Sequence, residues 1–93
     1  ITKKQPSIIM VNFTIQMPDA HSISLAGDFN GWDIEDCKLK RQDGIWSVKL
    51  PLKSGRYQYV FVIDGQKWIP DPKAKIFVNS GFGRNSVLDT TRL

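Results

Sequence analysis

"RYQYVFVID", residues 56–64, decides the class of fold. Tyr57, Tyr59, Phe61 and Ile63 fall on one side of this run, and Gln58, Val60 and Val62 on the other. Alternation in aromatic and β-branched residues is the pattern of a strand. Turn signals close it at both ends, "KSG" before it and Asp64–Gly65 after it. Upstream, "IWSVKLPL" (45–52) sets Trp46, Val48 and Leu50 on one face, and Asp43–Gly44, a strong hairpin dipeptide, separates it from the short run "CKLKRQ" (37–42). "HSISLAG" (21–27) points Ile23 and Leu25 inward. From Ser7 the chain alternates through Ile9, Val11, Phe13, Ile15 and Met17. Downstream, "QKWI" is followed by "PDPKAK" (70–75), whose two prolines bar a continuing strand. "IFV" is a brief extension, "NSGFGRN" (79–85) a glycine-rich loop, and "SVLD" a closing strand. About seven short antiparallel strands, with turn signals roughly every eight to twelve residues, predict an all-β, immunoglobulin-like β-sandwich. The Cys…Trp…Cys arrangement of antibody domains is absent, since Cys37 is the only cysteine.

Ninety-three residues make one small domain, its core spanning about residues 7–88 after a polar lead-in. Because the chain starts with Ile, it is expected to be part of a longer protein. Hydrophobic residues at 41% and aromatics at 11% are enough to fill a core, which excludes a disordered chain. The formal charge of +4 is spread over groups of two or three cations with acids nearby, from Lys3 and Lys4 to Arg84. That is a solvated surface rather than a phosphate track, so nucleic acid is not expected as a partner. One cysteine excludes a disulfide framework and a cysteine-based metal site. No run reaches membrane-spanning length and no signal peptide is visible, so no membrane contact is expected and the cytoplasm is favoured.

Catalysis finds little support. Asp33, Glu35 and Asp36 are adjacent but lie in a polar loop, without the opposed, partly buried pair that glycoside hydrolysis needs. Asp28, Asp43, Asp64 and Asp71 occupy turns, where Asp bonds to backbone. Cys37 has no evident base, and His21 sits in the turn-like "PDAHS". "GFGR" closes a strand and opens no helix, so the phosphate-cradling mechanism is missing. The sequence predicts no catalytic residue, no metal site and no cofactor.

The aromatics say more. Trp46 is in phase with Val48 and Leu50 and belongs to the core. Trp32, Trp68 and Phe82 lie in or beside polar turns: "FNGWD", "GQKWIPD" and "SGFGRN". They either cap the open ends of the sandwich or form an exposed aromatic surface, a feature that marks binding sites. Sugar rings suit such a surface, with an apolar C–H face to stack and hydroxyls at the edge. If an indole covers about 80 Å² of apolar area, each stack contributes on the order of 2 kcal/mol. Two stacks with a few hydrogen bonds imply a dissociation constant roughly between micromolar and millimolar. Nucleobases stack on the same rings, and steep salt dependence would betray them.

"SISLAGDFNGWD", "WSVKLPLKSGRYQYVFVIDGQKWIPDP" and "GFGRNSV" resemble the glycogen-binding domain of the AMP-activated protein kinase β subunit, and more widely family 48 of carbohydrate-binding modules. The resemblance runs from about Ser7 to Leu88. It implies an early-set immunoglobulin-like sandwich that binds α-1,4-linked glucans without catalysis. It places Trp32 on the family's first stacking tryptophan and Trp68 on the second, although "DGQKW" is one residue longer than the kinase-subunit "DGQW". Asn85 matches the asparagine that hydrogen-bonds sugar hydroxyls, and Phe82 lies near the large apolar residue pushed towards the centre of a cyclic glucan. Asn30 and Gly31 shape the loop, and Gly27 permits its turn. One position departs: Val60 stands where the kinase domains carry a sugar-contacting lysine. Lys67 and Arg84 are the candidates for a charged donor in its place.

The reading is a carbohydrate-binding module that uses Trp32, Trp68, Asn85, Phe82 and Lys67 to hold an α-glucan polysaccharide or oligosaccharide. It would keep an attached enzyme or kinase-type partner on the polymer. The rival, favoured by Val60, is a domain of the same fold that has lost sugar binding and docks on an adjacent catalytic or regulatory domain.

Overall fold

The computed structural model describes residues 8–81 and 83–92. Eight strands form among them: β1 (Ile8–Gln16), β2 (Ile23–Gly27), β3 (Lys40–Gln42), β4 (Ile45–Lys53), β5 (Arg56–Ile63), β6 (Lys67–Ile69), β7 (Ile76–Ser80) and β8 (Gly83–Asp89). A single 3-10 turn, Asp28–Asn30, follows β2, and another, Thr90–Arg92, follows β8.

The strands divide into two antiparallel sheets. One has the order β1-β4-β3; the other has β2-β5-β8-β7, with β6 also paired to β5. β1 and β4 run in register from Ile8↔Lys53 to Gln16↔Ile45, which puts Phe13 opposite Val48 and Ile15 opposite Trp46. The expected phases hold. Val11, Phe13, Ile15, Ile23, Leu25, Trp46, Tyr59 and Phe61 are all buried between the sheets. Phe13 and Tyr59 meet edge to face at 5.1 Å, and Tyr59 meets Phe61 likewise at 6.2 Å. That geometry suits the ring quadrupoles. Trp46 sits in the core as expected, its Nε1 donating to the Met17 carbonyl at 2.9 Å. Asp43 and Gly44 both have positive φ, at 55° and 80°, as the two-residue turn between β3 and β4 requires.

β5 positions the site. Along one edge it pairs with β2, from Ile23↔Ile63 to Gly27↔Tyr59. Along the other it pairs first with β8, from Arg56↔Asp89 to Tyr59↔Ser86, and then with β6, from Phe61↔Ile69 to Ile63↔Lys67. Val60 falls at the change of partner. A buried polar link ties the following loop to this place: Tyr59 Oη donates to Asp71 Oδ2 at 2.6 Å, Asp71 N to Ser86 Oγ at 2.8 Å, and Ser86 Oγ to the Tyr59 carbonyl at 2.8 Å.

Two expectations change. "NSGFGRN" is not an open loop: Ile76–Ser80 and Gly83–Asp89 form a hairpin from Ile76↔Val87 to Ser80↔Gly83, so Asn85 lies on a strand. "IFV" is therefore the first part of a full strand, which raises the count to eight. Gly27 is also needed for another reason. Its backbone is extended, with φ −171°, a conformation open to any residue. A Cβ there would lie 2.7 Å from the Gln58 carbonyl oxygen and 2.8 Å from Tyr59 Cβ, so the glycine serves close approach rather than a turn.

Candidate functional site

The outer face of the five-stranded sheet carries a second, smaller apolar cluster. Ala26, Val60 and Val62 are buried there, with Trp32 and Ile34 packed against them. Ala26 is the register partner of Val60, and Trp68 of Val62, so β2, β5 and β6 contribute to one surface. Trp32 reaches it from the "GDFNGW" loop and Trp68 from β6. A cleft of about 530 Å³ opens over Val60, walled by Gln66, Trp68, Pro70, Ser80, Arg84 and Asn85.

The loop answers why a turn carries two large aromatics. Phe29 points into the main core, 5.7 Å from Phe13 and 6.0 Å from Tyr57 between ring centroids, and anchors the loop. Asn30 braces it on β2: Oδ1 accepts from Gly27 N at 3.1 Å and Nδ2 donates to the Leu25 carbonyl at 2.8 Å. Gly31 and Trp32 then both turn left-handed, with φ 64° and 62°, and Trp32 N donates to the Gly27 carbonyl at 3.0 Å. This closure ends the short helix. A left-handed Trp costs about 1–2 kcal/mol against glycine. The strain sets the indole over Val60 and Val62.

A chain of polar contacts then crosses the face. Trp32 Nε1 donates to Asp28 Oδ1 at 3.3 Å, and Gln58 N donates to Asp28 Oδ2 at 2.8 Å. Asn85 Nδ2 donates to Gln58 Oε1 at 3.1 Å. Asp28 bonds backbone, as its turn setting implies, but the backbone belongs to a strand 30 residues away. Gln58 joins this chain of contacts and sequence reasoning does not reach it; its one signal is a polar side chain beside Val60 and Val62 on the same face of β5.

The expected site residues are placed as follows. Trp68 is 51% exposed at the cleft wall and Asn85 is half-buried there, while Trp32 is half-buried against the Ala26, Val60 and Val62 cluster and does not line the cleft. Lys67 is not brought to the cleft. Its register partner is Ile63, on the core-facing side of β5, so it projects from the side of β6 opposite Trp68. Arg84 does line the cleft, with its guanidinium carbon 4.3 Å from the centroid of the Phe77 ring. Phe82 lies outside the described residues.

Other titratable groups sit in structural settings. Burial, then the charge of Asp36, raises the Cys37 thiol above its ordinary range. Burial, reinforced by the bond to Asp71, raises the Tyr59 phenol. Backbone N–H bonds from Ser22 and His21 lower the Asp64 carboxyl. Glu35 pairs with Lys38 at 3.2 Å in solvent. Among the described residues no three His, Cys, Asp or Glu side chains converge on a common point.

Comparison with known proteins agrees with this fold. The chain is 33% identical over 69 residues to Protein PTST homolog 2, chloroplastic, of Arabidopsis thaliana, covering 74% of this chain and 13% of the relative. It is 39% identical over 56 residues to the 1,4-alpha-glucan branching enzyme GlgB of Bacillus cereus (strain AH820), covering 58% of this chain and 9% of the enzyme. Among solved structures it superposes on a maltogenic amylase from S. marinus with a TM-score of 0.74 and 28% identity, over 89% of this chain and 14% of the amylase. The chain thus spans only a small part of the length of each of these relatives. Residues 3–74 match the model of carbohydrate-binding module 48, the isoamylase N-terminal domain, and the chain belongs to that family.

Proposed function

We propose that this domain binds α-1,4-linked glucans without catalysis, laying the chain across Trp32 and Trp68 with Asn85 as polar anchor. The observation that carries it is the outer face itself. Two indoles from separate elements lie on the face of one apolar strip, and an asparagine shares with Trp68 the wall of the cleft over Val60. Such a surface offers ring faces to sugar C–H groups and an amide to the hydroxyl edge. Family membership supports the ligand class, as do relatives named for 1,4-α-glucan branching and maltogenic amylase activity. Val60 gives the cleft an apolar floor, so retention rests on stacking, and Arg84 is the cation at the wall.

Because the relatives are many times longer, the domain's role is to hold attached catalytic or regulatory regions on the polysaccharide. Neither catalysis nor a cofactor is assigned to it. The test is a titration of tryptophan fluorescence with maltoheptaose and β-cyclodextrin, with cellohexaose as control. A saturable change with the α-linked sugars alone is expected. No change up to about 10 mM, where even a site of roughly −3 kcal/mol is partly filled, would sink the proposal.

A further inference from the structure

We infer that Gln58 is a second sugar-contacting residue, and that Gln58 and Asn85 together read two adjacent hydroxyls of one glucose ring. This deepens the glucan reading and rests on it. The Asn85–Gln58 bond joins two side-chain amides on neighbouring strands. A side-chain amide holds two N–H donors and one carbonyl acceptor. Their mutual bond occupies one donor of Asn85 and the oxygen of Gln58. Gln58 Nε2 and Asn85 Oδ1 make no side-chain bond among the described residues, yet no buried side-chain N or O there lacks a partner. Neither atom is therefore fully buried, although both residues are half-buried. Reversing both amides would leave the same result, one outward donor beside one outward acceptor.

The pair is held in place from both sides. Asp28 Oδ2 fixes the backbone of Gln58 at 2.8 Å, and the β5–β8 register sets Gln58 against Val87, on the same face as Asn85. A fixed donor next to a fixed acceptor is the complement of a vicinal diol. One hydroxyl accepts from the glutamine and its neighbour donates to the asparagine. In an α-1,4 chain O1 and O4 are consumed by linkages, so the free adjacent pair on each internal ring is O2 and O3, both equatorial. Indole stacking tolerates many sugars; the amide couple supplies discrimination, worth about three- to tenfold per hydroxyl for neutral bonds at a wet surface.

The experiment is calorimetric titration of the native chain and of Gln58→Met with maltoheptaose and with its 2-deoxy and 3-deoxy counterparts. The native chain should bind each deoxy sugar about three- to tenfold more weakly than maltoheptaose. Gln58→Met should lose about the same factor on maltoheptaose and stop discriminating against one of the two deoxy sugars. If the native chain binds all three alike, the diol reading falls and the glucan reading stands. The diol reading falls equally if Gln58→Met binds maltoheptaose unchanged, or weakens all three sugars by one common factor as a merely structural residue would. A native chain that binds none of them overturns the glucan reading, and this inference with it.

Discussion

Asp28 holds Trp32 by its indole nitrogen, with Oδ1 accepting from Nε1 at 3.3 Å. Its other oxygen is bonded to the backbone of β5, so one carboxylate ties the ring to the sheet beneath. Removing it in Asp28→Ala should lower stability by about 1 kcal/mol, as for a solvent-exposed bond to a charged acceptor. It should also weaken maltoheptaose binding about threefold or more by freeing the ring. Urea melts and sugar titrations of the same preparation measure both; unchanged affinity would show that the tie does not position Trp32.

The left-handed backbone at Trp32 makes its own prediction. Trp32→Gly should be more stable than Trp32→Ala by about 1 kcal/mol, the reverse of the order seen in ordinary helices. Both lose the ring, so the difference isolates the φ of 62°. Chemical denaturation of the two variants decides it.

Trp68 and Trp46 should separate binding from folding. Trp46 is 6% exposed, so Trp46→Ala should cost about 3–5 kcal/mol. Trp68, at 51% exposed, should cost under about 1 kcal/mol as Ala while abolishing retention on glucan. Equal destabilisation by the two would make Trp68 a core residue and remove it from the site.

Much of this architecture is legible in the sequence, and the reasons differ by element. Phe13, Ile15, Trp46 and Phe61 can be assigned to the core because strand periodicity is local. Asp–Gly turns are local too. The β7–β8 hairpin is not legible: the glycines around residue 82 read as a loop, whereas the pairing from Ile76 to Val87 is a property of two strands together. Asp28 and Gln58 are hidden for a similar reason. Each looks ordinary in its own segment, and only the tertiary fold brings residues 28, 58 and 85 side by side. Lys67 is a candidate donor by sequence proximity to Trp68, but strand alternation sends neighbours to opposite faces.

Tyr59 makes the fold sensitive to alkali. Its phenol titrates above the unfolded value of about 10. Its contribution is therefore complete below pH of about 10. Above that, the unfolded chain loses its proton first and stability declines. Tyr59→Phe should flatten the alkaline limb of a stability–pH profile while costing about 1–3 kcal/mol at neutral pH, because the Asp71 carboxylate loses its buried donor.

Asp64 acts at the other extreme. Its carboxyl is lowered by two backbone donors, so its contribution is present above the unfolded value of about 3.9. The contribution is lost as pH falls through the lower folded value. Asp64→Asn should lose stability at pH 7 and show a shallower acid limb, read from thermal melts between pH about 2 and 6.

The two indoles are mounted with unequal stiffness. Trp32 is fastened by its backbone, by its ring nitrogen and by the apolar cluster under it. Trp68 rides on a three-residue strand paired to β5 alone. On the proposed reading, a ligand spanning both would meet an anvil at one end and a sprung arm at the other. Differences in curvature between linear, cyclic and branched glucans would then be taken up at Trp68, while the pitch of the bound chain would be referenced to Trp32.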